Sequence, residues 1–142
     1  MTSLEEQHNV DRNIRICTCW FFGIAVLSVA NTLLLLYWGT TFIIGFGFIA
    51  VTTAFAEVQG VTATGLIIAV TVVCTGIYLV LGVFGRRRNK WAFTTGLVVY
   101  ATDGLFLLLV QDWYSIAFHC LSLFFIYIGW QAADRYNQLH SR

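Results

Sequence analysis

The sequence predicts an all-α membrane protein: four transmembrane helices, with a short re-entrant or interfacial helix between the first and the second. Three observations carry that prediction. The 142-residue chain is 58% hydrophobic and only 11% charged, with a mean hydropathy of +0.77, whereas soluble domains carry about 25% charge. Its apolar residues fall in runs close to the roughly 20 residues that cross a hydrocarbon core of about 30 Å. Its Lys and Arg residues all fall on one side of that arrangement. The apolar content excludes disorder, and a net charge of +1 argues against nucleic-acid binding. Four spans use most of the chain, so no separate soluble domain is expected.

Residues 1–15 are polar and of mixed charge, and read as a tail. The first span is 16–38. Ser28-Val29-Ala30 has the small-residue pattern of a signal-peptidase site, but the apolar run continues through Leu33 to Trp38, too long for a signal h-region. Residues 42–56 are apolar but reach only about 22 Å as a helix, and Gly45 and Gly47 favour a bend. The second span is 61–84, followed by the basic loop Arg86-Arg87-Arg88-Asn89-Lys90. The third span, 91–110, leads through a tight turn at Gln111-Asp112 into the fourth, 113–133. Residues 134–142 read as a second tail. Trp20, Tyr37, Trp38, Trp91, Trp113 and Trp130 fall near span ends, as aromatic belts do.

Charge orients the chain. With four spans and a cytoplasmic N-terminus, Arg12, Arg15, Arg86, Arg87, Arg88, Lys90, Arg135 and Arg142 are all cytoplasmic, and the outer connections hold no Lys or Arg. This is the positive-inside pattern, and it places both termini in the cytoplasm. A five-span chain with its N-terminus outside would misplace only Arg12 and Arg15 and stands as the alternative.

Two ionisable residues lie well inside spans. Asp103 is eight residues before Gln111 and His119 eight after it. In an antiparallel hairpin both lie about 12 Å below the turn. A charge in hydrocarbon costs roughly 2.5–3.5 kcal/mol, so each needs a partner, and the spacing makes them partners for one another. Tyr100 shares the Asp103 face; Ser115 and Ser122 flank His119 at i−4 and i+3. The expected polar site is therefore Tyr100, Asp103, Ser115, His119 and Ser122, with Asn31, Glu57 and Gln59 as contributors. The leading reading is a structural clip that sets hairpin register. A proton relay or polar-ligand site comes second. Metal or haem is disfavoured because a second intramembrane His is missing, and no cofactor is expected. A Ser-His hydrolase fits poorly, since Ser115 and His119 share one helix and no Gly-x-Ser-x-Gly elbow is present.

The remaining features have simpler readings. Arg86, Arg87, Arg88 and Lys90 set topology and could also contact anionic lipid head groups. Gly65-xxx-Ala69 and Gly129-xxx-Ala133 have the spacing of close helix contacts, read here as internal packing. Cys17, Cys19, Cys74 and Cys120 read as packing residues rather than a disulfide framework.

Trp91-Ala92-Phe93, Gly96, Tyr100-Ala101-Thr102-Asp103-Gly104, Asp112-Trp113-Tyr114-Ser115, Phe118-His119 and Gly129 form a string. With Asn31 and Ile44-Gly45-Phe46-Gly47, it resembles small bacterial four-helix integral membrane proteins of uncharacterised function. The resemblance implies a bacterial cytoplasmic membrane and brings no activity, substrate or cofactor. The expectation is a non-enzymatic structural or accessory protein, alone in the lipid bilayer, as a homo-oligomer or in a larger membrane complex. The rival is a small transporter, or a proton- or polar-ligand-binding protein, using Asp103 and His119.

Overall fold

The computed structural model describes residues 3–39, 64–111 and 113–140, together with Phe48, Phe55 and Val58. They form four helices: α1 (Ser3–Trp38), α2 (Thr64–Arg86), α3 (Lys90–Val110) and α4 (Trp113–His140). Each contains a stretch long and apolar enough to cross a membrane. Helix α1 packs on α2 and α4, and α3 packs on α4 and α2, which closes the four into a ring. The expected short helix at 42–56 lies outside the described residues, as do Gly45, Gly47, Glu57, Gln59, Asp112 and Arg142; of that segment Phe48 and Phe55 are described.

The buried positions show why these helices pack as a bundle. On α1 they include Val10, Ile14, Cys17, Phe21, Ile24, Ser28 and Asn31; on α4, Ser115, His119, Ser122, Ile126, Gly129 and Ala133. Both series alternate steps of three and four, the 3.5-residue seam of knobs-into-holes packing. Helix α3 repeats it with Phe93, Gly96, Tyr100, Asp103 and Leu107. Outward faces are lined by Val, Leu and Phe that lipid would cover.

Two turns connect the helices. Arg88 ends α2 in the left-handed conformation (φ 62°). Its N–H donates to the Gly85 carbonyl at 2.9 Å, and the Asn89 N–H to the Phe84 carbonyl at 3.2 Å. These are the two bonds of a Schellman ending, usually built on glycine. Gln111 ends α3 in the same way (φ 56°), its N–H directed to the carbonyls of Leu107 and Leu108.

Polar residues 3–15 continue α1 as helix, about 20 Å beyond the apolar run at 1.5 Å per residue. Helix α4 likewise runs seven residues past Ala133. Ion pairs join the two extensions to each other and to the basic loop: Arg135 donates to Glu6 at 2.6 Å, Arg88 to both carboxylate oxygens of Asp11 at 2.9 and 3.0 Å, and Lys90 to Asp134 at 2.6 Å. The hydrogen bond to Asp11 holds the Arg88 guanidinium above even its ordinary high range.

The two small-residue motifs separate. Gly129 and Ala133 are buried, as internal packing requires. Gly65 and Ala69 are both exposed, and among the described residues nothing lies within 4 Å of a Cβ built on Gly65. Here the internal-packing expectation fails, because the two residues sit on the outward face of α2.

Candidate functional site

Asp103 and His119 meet between α3 and α4. Their side chains are 1% and 2% exposed, and His119 Nε2 lies 2.8 Å from Asp103 Oδ2. The tight turn explains the register: residues equidistant from Gln111 face one another. Tyr100 and Ser122, one turn further from Gln111, follow the same register, with the Tyr100 hydroxyl donating to Ser122 Oγ at 3.4 Å. The Tyr100 ring also stacks on the imidazole, centroids 4.3 Å apart and planes 7° from parallel. Tyr78 of α2 meets Tyr100 edge-on at 6.0 Å.

Hydrogen-bond accounting fixes the proton content of the pair. His119 Nδ1 lies 2.8 Å from the main-chain carbonyl of Ser115. A carbonyl only accepts, so Nδ1 carries a hydrogen. The contact between Nε2 and Oδ2 must hold a proton as well, since two facing lone pairs would repel. The other carboxylate oxygen, Oδ1, accepts the main-chain N–H of Phe48 at 2.8 Å. The pair is therefore either imidazolium with carboxylate or neutral imidazole with carboxylic acid. Both forms are neutral overall, which avoids a lone charge in hydrocarbon.

The expected site residues are thus placed as follows. Tyr100, Asp103, His119 and Ser122 come together, and Ser115 contributes its main-chain carbonyl to His119. Asn31 is buried on α1. Glu57 and Gln59 lie outside the described residues. The basic loop does not act as a unit: Arg88 and Lys90 turn to Asp11 and Asp134, while Arg86 lies over the Phe22 ring at 4.7 Å and Arg87 over Phe84 at 5.6 Å.

Three polar features went unread in the sequence. Phe48 caps Asp103 through its backbone, which no side-chain pattern announces. Thr32 and Thr71 join α1 to α2 at 2.7 Å. Thr71 donates to the Ile67 carbonyl at 2.9 Å, so the shared bond runs from Thr32 to Thr71. Ser28 and Thr75 each keep a buried hydroxyl oxygen without a hydrogen-bond partner among the described residues. The only signal for Thr32 was its place next to Asn31 of the seam, and for Thr71 its spacing of four from the buried Ile67.

Among the described residues no group of three or more His, Cys, Asp or Glu could hold a metal ion. The four cysteines are free, with Cys17 buried and Cys19 and Cys120 exposed. Compared with family models, curated proteins and solved structures, the chain matches none. The resemblance to small bacterial four-helix membrane proteins therefore rests on the quoted residues alone.

Proposed function

We propose that the chain is a small structural or accessory protein of a cell membrane, a bundle in which Asp103–His119 is a fold element. One observation carries this reading: the pair is closed off from its surroundings, and both ring nitrogens and both carboxylate oxygens are engaged within the protein. Such a clip ties α3 to α4 and the connection between α1 and α2 to α3. The distribution of Lys and Arg supports cytoplasmic termini and, through the quoted resemblance, a bacterial cytoplasmic membrane as its place. The bond from Phe48 to Asp103, about 12 Å below the α3–α4 turn, supports a re-entrant rather than an interfacial course for 42–56.

A second reading follows from the proton held between Nε2 and Oδ2: the pair could pass that proton on, as in a small proton-coupled transporter. Proteoliposomes loaded with a pH-sensitive dye separate the two. The structural reading expects no proton flux above protein-free vesicles. A flux that disappears in Asp103→Asn, with the fold kept, would overturn it in favour of the relay. Native mass spectrometry from a mild detergent would identify any partner polypeptide that an accessory role requires.

A further inference from the structure

The fold sorts the basic residues into two sets. Arg88, Lys90 and Arg135 are engaged by Asp11, Asp134 and Glu6. Among the described residues, Arg12, Arg15, Arg86 and Arg87 make no ion pair. Two of these four, from different helices, come together: Arg15 of α1 and Arg86 of α2 line a recess of about 410 Å³ with Cys19.

The recess lies at the charged end of the α1–α2 seam. Next to it, Phe22 lies across Gly82, where an added Cβ would come within 2.8 Å of the ring. The Arg86 guanidinium rests on that ring, which holds it at the protein surface. Further along the same seam, Ala25, Val26, Val29, Ala30 and Leu33 line an apolar groove of about 370 Å³. It shares Val29, Leu33, Thr75 and Leu79 with a second groove of about 510 Å³. From Cys19 to Val29 is about 15 Å along α1, half the thickness of a hydrocarbon core.

We infer that this seam is a binding site for one anionic phospholipid, its phosphate held between Arg15 and Arg86 and one acyl chain lying past Phe22 in the groove. Charge complementarity selects this occupant. A neutral lipid or an apolar helix could fill the groove but would leave two arginines facing each other across the recess. A free anion would answer the arginines and leave the groove unused. The inference is independent of the role given to Asp103 and His119.

Native mass spectrometry of delipidated protein in a mild detergent tests it, with phosphatidylglycerol and phosphatidylcholine of identical acyl chains. The expected result is one saturable phosphatidylglycerol adduct, preferred over phosphatidylcholine. Each of Arg15→Gln and Arg86→Gln should weaken it roughly fivefold, and the two together about 25-fold. Arg12→Gln with Arg87→Gln, a double variant of the same net charge, should leave the adduct unchanged. Ala30→Phe, which fills the groove, should weaken it without touching the arginines. The four arginines are exposed and Ala30 is half-buried in the groove wall, so circular dichroism should show wild-type helicity for each variant. Equal binding of phosphatidylcholine, equal losses in the two double variants, or displacement of the lipid by inorganic phosphate would each overturn the site.

Discussion

The two halves of the bundle use one seam in opposite ways. Toward the α3–α4 turn, the inward positions include Ser28, Asn31, Thr32, Thr71, Asp103, Ser115, His119 and Ser122, among the apolar Ile67, Tyr100 and Leu107. Toward the basic loop they are mainly apolar, among them Ile14, Cys17, Phe21, Phe93, Ile126 and Ala133, with Gly96 and Gly129 making room for the rings; the buried Thr18 hydroxyl bonds within its own helix, to the Ile14 carbonyl. Both halves follow the same 3.5-residue spacing, so backbone geometry does not distinguish them. Inside a bilayer, apolar packing gains nothing from water exclusion, because lipid is as apolar as the core. One half therefore relies on directional bonds and the other on close fit. The close-fitting half adds ion pairs only where the helices emerge from the apolar run.

The sharpest way to break the contrast is at Asp103. Asp103→Ala leaves the imidazole and the Phe48 amide without their partner and should cost about 3–5 kcal/mol in thermal or denaturant unfolding in detergent. Replacing the pair together, as Asp103→Val with His119→Leu, should recover most of that loss. Equal losses in the single and double variants would show that the polar half is not held by pairing.

In the other half, Gly129→Ala would drive a Cβ into the Phe93 ring and Cys17, and should cost about 1–3 kcal/mol. The outward-facing Gly65→Ala meets nothing among the described residues and should be neutral or stabilising by up to about 1 kcal/mol. If both substitutions have the same effect, the assignment of inner and outer faces is wrong. Tyr100→Phe keeps the stack on His119 but removes the bond to Ser122, and should cost about 0.5–1.5 kcal/mol by the same melts. The smallest effect belongs to the ion pairs. Asp11→Asn should cost under about 1 kcal/mol, because both partners are a third or more exposed. The difference from wild type should shrink in high salt.

Much of this arrangement is legible in the sequence. Run lengths marked the four helices, and the placement of Asp103 and His119 around Gln111 marked the partners. Hydrophobicity itself was a poor guide to the interior, since outward-facing and core-facing residues are both largely apolar. The polar and small residues carried the information instead, and they did so unevenly. Gly129 and Gly65 have the same local motif, and only the neighbouring helices decide that one is buried and the other is not. Residues 3–15 read as a tail because their composition is polar; their helix runs alongside Arg88 and Arg135, whose partners are Asp11 and Glu6, more than 70 residues away in each case. Backbone donors such as the Phe48 amide leave no trace in a sequence.

The tight turn at Gln111 also bears on how the protein is made. While α3 leaves the ribosome, Asp103 has no imidazole to meet, and an aspartate at a helix centre adds about 2.5–3.5 kcal/mol to membrane insertion. That cost persists until His119, 16 residues later, has been synthesised. With so short a connection, the two helices are suited to enter the bilayer as one hairpin. A nascent chain stopped after Val110 should hold α3 in the membrane less efficiently than one extended through α4, and glycosylation mapping of the two lengths would record the difference.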